Sequence, residues 1–225
     1  MNCLKETYLS AIFILFSAPL FAAETMIAPD LAKVPQNKEW TVHNRKATFI
    51  TDALQGSIYF DAQPEAGIAW LKNTNISDGV IEVDLKGNDV KDKSYIGIAF
   101  RGQNEKTYEA VYFRPFNFKA PDTPHKSHAV QYIAEPDYPW EKLRKENPGK
   151  YENTVTPAVD PNEFFHLKIV LEKPWVRVYV NNALKPTLEV ESLVKQKSGW
   201  VGFWMGKNAD GAFKNLTITE EAMTP

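Results

Sequence analysis

The segment from Tyr95 to Trp140 gathers side chains that can grip a polar, ring-shaped ligand. Arg101 and Arg114 offer planar guanidinium forks, and Glu109 and Gln131 can accept hydrogen bonds from hydroxyls. The rings of Tyr112, Tyr132, Trp140 and the glycine-flanked Trp204 can cover the C–H face of a sugar. The expected chemistry is recognition of a polyhydroxylated ring. If a proton must also move, Glu109 and His128 are the candidates for general base or acid. Arg101 and Arg114 would then steady the developing oxyanion or a hydroxyl.

Other chemistries are poorly represented. His43, His125, His128 and His166 show no metal-ligand spacing, so no metal is expected. No phosphate-cradling glycine loop and no GxSxG elbow occurs, and no cofactor is expected. Glycoside cleavage by the usual route needs two carboxyl groups about 5–5.5 Å or 6.5–9.5 Å apart. Glu82 and Asp84 share one strand face and are similar to the start of the ExDxxE signature of laminarinase-type glucanases. Lys86-Gly87 stands where the third acid falls, and a pair of solvated strand-face charges accounts for both carboxylates.

The elements that must position these residues are strands. In DGVIEVDLKG, Ile81, Val83 and Leu85 alternate with Glu82, Asp84 and Lys86. In SYIGIAFRG the apolar set is Ile96, Ile98 and Phe100, and Gly97, Ala99 and Arg101 form the opposite face, a shallow floor ending in an anchor. The next strand puts Tyr108, Ala110, Tyr112 and Arg114 on one face, with Glu109 on the other unless a bulge intervenes. FFHLKIVLE, WVRVYVNN and GWVGFWMG repeat the alternation, the first two joined by a compact Lys173-Pro174 turn. Between Pro115 and Pro161 lie 8 of the 15 prolines, which makes a long, stiffened connection. Within it YPWEKLRKEN predicts the one short helix, with Asp137 as cap and Trp140 and Leu143 as docking residues.

Composition bounds the rest. The chain has 225 residues, 12% aromatics and a formal charge of -2, with no basic run, so no nucleic-acid partner is expected. Residues 1–23 read as a signal peptide: Lys5, an apolar run to Phe21, and small residues at Ala22 and Ala23. Cleavage would remove Cys3, the one cysteine, and leave a periplasmic or secreted protein with no membrane attachment. Residues 24–39 read as a lead-in loop, 40–220 as a single β-sandwich domain and 221–225 as a tail.

SYIGIAFRG followed by KTYEAVYFRP resembles a strand pair of concanavalin A-like lectin/glucanase domains. It is most similar to the 3-keto-disaccharide-hydrolase-like (laminin G-like) family, whose Arg and Tyr-Glu positions match Arg101, Tyr108 and Glu109. NEFFHLKIVLEKPWVRVYVNNAL and SGWVGFWMGKNADGAFKNLTI resemble the later hairpin and closing pair of that superfamily. The resemblance implies a jelly-roll sandwich of two curved antiparallel sheets with carbohydrate on the concave face. Either binding alone or cleavage of a glycoside, keto-sugars included, is open at this point, as is a non-catalytic structural or protein-interaction role.

Overall fold

The computed structural model describes residues 25–54, 56–195 and 198–220. The expected signal peptide and the 221–225 tail lie outside the described residues. Strands follow one another in chain order as β1 (Thr25–Ile27), β2 (Trp40–His43), β3 (Ala47–Ile50), β4 (Ser57–Phe60) and β5 (Gly67–Ile76). Next come β6 (Gly79–Lys86), β7 (Ile96–Asn104), β8 (Thr107–Phe113), β9 (Val130–Glu135) and β10 (Glu152–Asn153). The last are β11 (Phe165–Glu172), β12 (Trp175–Val180), β13 (Leu188–Glu191), β14 (Gly199–Met205) and β15 (Gly211–Glu220).

They form two antiparallel sheets in a jelly-roll sandwich. One has the order β13-β12-β11-β6-β15-β4-β3, with β1 added to β15, and the other has the order β10-β9-β8-β7-β14-β5-β2. Period-two patterning explains which faces meet, because alternate side chains leave opposite sides of a strand. Ile81, Val83 and Leu85 of β6 are fully buried, as are Ile96, Ile98 and Phe100 of β7 and Val176, Val178 and Val180 of β12. Aromatic packing closes the centre: Phe203 stacks on Trp40 at 5.1 Å and lies 4.4 Å from Phe213. Glu82 and Asp84 point away from this core on the outside of the larger sheet, where His166 Nδ1 meets Asp84 at 2.9 Å.

Two expectations about irregular structure change. The lead-in is more than a loop, since β1 pairs with β15 and a 3-10 turn over Leu31–Gln36 buries Leu31 and Val34 in the core. The cause is local: Asp30 caps that turn by accepting from Ala32 N, and the i, i+3 spacing puts both apolar residues on one side. The proline-rich connection carries two short helices instead of one, α1 (Thr123–Lys126) and α2 (Trp140–Glu146), besides a 3-10 turn over Pro115–Asn117. Pro139 rather than Asp137 occupies the cap position of α2, and the Asp137 carbonyl accepts from Lys142 Nζ instead. Among the described residues, no helix is long and apolar enough to cross a membrane.

Candidate functional site

The site is built on the outer face of the seven-stranded sheet. Strand register lays Gln131, Tyr112, Gly97, Trp204 and Ile68 side by side across five strands. Gly97 sits between two large rings for a steric reason. A Cβ there would meet the Val111 carbonyl at 2.1 Å and Tyr112 Cα at 2.5 Å. With that space empty, Tyr112 and Trp204 lean over the glycine until their centroids are 4.7 Å apart. The expected shallow floor of Gly97 and Ala99 is thus filled by rings from the neighbouring strands. Trp204 Nε1 donates to the Tyr108 hydroxyl at 3.1 Å, which fixes both rings. Burial pushes the Tyr108 and Tyr112 phenols up to about 12, so both remain neutral at physiological pH.

Above this floor lies a cavity of about 920 Å³ walled by the proline-rich connection. Tyr112, Arg114, His128, Trp140 and Trp204, all expected at the site, line it together. Tyr108, Tyr95, Glu135, Glu141 and Arg144 line it too. Tyr108 was legible as a floor residue from the alternation of β8. Arg144 had a subtler signal, its i, i+4 spacing from Trp140 on α2.

Arg114 is the centre of the wall. Its guanidinium lies 4.9 Å from the Tyr112 ring, 5.7 Å from Trp140 and 6.0 Å from Tyr95. Such contacts contribute about 0.5–2 kcal/mol each, depending on desolvation. Arg114 also donates from Nη1 to the His128 carbonyl at 2.8 Å and from Nη2 to the Tyr112 hydroxyl at 2.6 Å. Trp140 is also in contact with Arg144, whose guanidinium sits 4.8 Å from the ring. Arg144 in turn forms a bidentate pair with Glu152 of β10, with bonds of 3.0 Å from Nε and 2.6 Å from Nη2. His128 Nε2 lies 3.4 Å from the same carboxylate. Burial nevertheless holds the His128 pKa below its usual value, with Arg144 and Arg114 adding to the shift against the pull of Glu152. Burial, helped by the charge of Glu141, holds the Glu135 carboxyl above the usual range.

Four expected site residues lie elsewhere. Arg101, Glu109 and Tyr132 point into the space between the sheets. Arg101 has φ 47°, and the β7–β8 register shifts between Phe100 and Asn104. That bulge turns Arg101 inward, off the face that strict alternation assigns to it. Its Nη1 then donates to Glu109 Oε1 at 3.0 Å, its Nε to the Ser77 carbonyl at 2.9 Å, and Asp78 stands 3.7 Å from Nη2. Glu109 follows the simple period of β8 to the inner face, where Oε2 accepts from Tyr132 and Ser192 hydroxyls at 2.6 and 2.8 Å. A carboxylate with no exposed surface and all these donors committed is a structural group, not an acid or base for a ligand in the cavity. Tyr132 cannot share a face with its neighbour Gln131, and it is the inward one. Gln131 does face outward, but its Nε2 donates to the Tyr151 carbonyl at 3.1 Å and only 1% of the residue is exposed, because β10 lies alongside it.

His125 and His128 both line the cavity but take different partners. His125 Nδ1 is 2.8 Å from Asp122, which also caps α1, while His128 faces Glu152. No group of three or more His, Cys, Asp or Glu among the described residues is arranged to hold a metal ion.

No protein-family model and no curated protein sequence matches the chain. Solved structures do. The carbohydrate-binding module CBM66 from Bacillus subtilis aligns with TM-score 0.55 and 16% identity, over 80% of this chain and 95% of that one. A Bacillus subtilis protein of unknown function with a galectin-like fold aligns with TM-score 0.58 and 11% identity, over 88% and 96%. The exoplasmic/lumenal domain of VIP36, in a Ca2+/Man3GlcNAc-bound form, aligns with TM-score 0.53 and 10% identity, over 84% and 86%. At these identities the likeness is one of fold, and it agrees with the strand order and the inner-face pattern. The chain has the concanavalin A-like lectin/glucanase fold.

Proposed function

We propose that this chain is an exported carbohydrate-binding protein, periplasmic or secreted, whose ligand occupies the cavity on the outer face of the seven-stranded sheet. One observation carries the reading: Tyr112, Trp204 and Trp140 converge with the Arg114 guanidinium on a single cavity of about 920 Å³. Rings can lie against sugar C–H faces while the guanidinium and the neutral phenols bond hydroxyls. The volume lies within the range of ligand pockets, about 300–1,000 Å³. The fold shared with a carbohydrate-binding module and a Man3GlcNAc-bound domain supports the same reading. Export rests on the apolar N-terminal segment ending in Ala22-Ala23. A glycan array followed by titration calorimetry on the exported protein tests the reading. Binding of at least one oligosaccharide, weakened in Tyr112→Ala and Trp140→Ala, is expected; an array without hits removes it.

A second reading, cleavage of the bound glycan, is favoured by one feature. Glu135 and Glu141 line the cavity, and the Glu135 carboxyl is held up by burial and by its neighbour, the environment of a proton donor. These replace Glu109 in the catalytic role, since Glu109 is sealed in the core. Product analysis decides: turnover lost in Glu135→Gln with binding retained supports cleavage, and binding without any turnover ends it.

A further inference from the structure

Arg114 is a cation without a counter-ion. Only 6% of the residue is exposed, yet it lines the cavity, and it forms no ion pair with any carboxylate among the described residues. The other buried arginine, Arg101, has Glu109, and the half-buried Arg144 has Glu152. None of the cavity carboxylates pairs with Arg114 among the described residues, and one of them, Asp92, accepts from the Tyr95 hydroxyl at 3.2 Å.

Three rings and two neutral oxygen acceptors stand around the guanidinium where a carboxylate would be expected. A guanidinium carries five N–H donors. Two of them are used by the His128 carbonyl and the Tyr112 hydroxyl, and the others have no acceptor among the described residues. None of the guanidinium nitrogens is sealed in the protein without a partner, so the free N–H groups open on the cavity, and the rings hold the fork in place without satisfying it. The missing partner therefore belongs to the ligand. A planar fork with a single positive charge is matched by a single negative charge presented on two oxygens. Acidic Glu65, Asp92, Glu135 and Glu141 and basic Lys91, Arg144 and Lys207 share the rest of the lining, so a group of one charge is the match for the fork itself.

We propose that the cavity selects a monoanionic sugar, with the carboxylate of a hexuronate or a sulfate ester seated on Arg114. This rests on the carbohydrate reading above and sharpens it to a ligand class. Trp140, in contact with both Arg114 and Arg144, stands beside the anion position.

The test is titration calorimetry of the exported protein with matched pairs: glucose against glucuronate, galactose against galacturonate, and each hexose against its 6-O-sulfate. The expected result is that a charged member binds about ten- to a hundredfold more tightly than its neutral parent, the scale of one charge-assisted hydrogen bond. The tighter of uronate and sulfate identifies the source of the charge. Raising the salt concentration should narrow the gap. Arg114→Gln should abolish the gap, bringing the charged and neutral members of each pair to one common affinity, and Arg114→Lys should restore only part of it. Should Arg114→Gln fail to fold, the wild-type pairs still decide. Equal affinity for charged and neutral partners overturns the inference and leaves the carbohydrate reading standing. Binding of inorganic sulfate with no sugar bound at all overturns both.

Discussion

Arg101 and Glu109 face each other rather than the cavity: Nη1 donates to Oε1 at 3.0 Å, and neither side chain has exposed surface. The pair ties the turn after β5, through Ser77 and Asp78, to Tyr132 on β9 and to Ser192 after β13. It bridges the two sheets at one end of the sandwich. Burial and the adjacent Glu109 charge also raise the Tyr132 phenol well above its usual value, so Tyr132 donates at all accessible pH.

Glu109→Gln is therefore expected to destabilise the fold without touching the cavity. Removing one partner of a buried ion pair costs about 3–5 kcal/mol, because the other charge is left uncompensated. Arg101→Met combined with Glu109→Gln should recover part of the loss, since no buried charge remains and Gln still accepts from Tyr132 and Ser192. Urea unfolding of the three proteins measures both effects. A Glu109→Gln protein as stable as wild type, or one that has lost ligand binding while fully folded, contradicts this assignment.

The behaviour of these two residues shows where sequence reading stops. The faces of β6 and β12 follow from alternation alone, because each buries one face and a one-residue slip would expose it, and the same alternation orders β7 and β14 although both of their faces are covered. Tyr112, Arg114 and Trp204 inherit their positions from the same rule. Arg101 does not, because a single left-handed residue inverts the pattern after Phe100, and nothing in the composition of a strand announces a bulge. The two-residue strand β10 was equally invisible, and it is what covers Gln131 and supplies Glu152 to Arg144. Arg144 itself became a site residue only through that partner and through the helical spacing from Trp140.

Gly97→Ala should damage both the sheet and the site. A methyl group would stand 2.1 Å from the Val111 carbonyl, so β7 and β8 must part where their register now holds Gly97 opposite Tyr112. Overpacking of this kind costs about 1–3 kcal/mol or more. The expected outcome is a lower urea midpoint together with a reduced near-UV circular dichroism signal from the Tyr112–Trp204 contact. An unchanged near-UV spectrum would mean that the ring pair does not depend on the glycine.

His128 should titrate below its ordinary value. Its folded pKa is lowered mainly by burial, so it is neutral at pH 7, and protonation costs the folded state more than the unfolded one. The unfolded chain then binds the extra proton first. The stability contribution is complete above the unfolded value of about 6.5 and is lost as pH falls through the folded pKa. Chemical-shift titration of the imidazole should give a midpoint under that of a free histidine. Glu152→Gln removes the one carboxylate that pulls the other way, so the midpoint should fall further still. A rise in that variant would mean that Glu152 does not favour the protonated imidazole.

Trp140→Ala should separate binding from stability. The ring is 37% exposed and docks little of the helix, because Leu143, 1% exposed, carries the contact of α2 with the sheet. Its partners are cations: Arg144 at 4.8 Å and Arg114 at 5.7 Å. Truncation removes two cation–π contacts, about 0.5–1 kcal/mol each at an exposed site. Arg144 keeps its bidentate bond to Glu152, so the wall should stay in place. Ligand affinity should fall by about tenfold or more, since a stacking ring at a sugar site accounts for roughly 1–3 kcal/mol by analogy with bases on aromatic platforms. Calorimetry and thermal melting on the same preparation check the two halves. A large loss of melting temperature with affinity intact would make Trp140 a core residue of the connection rather than part of the site.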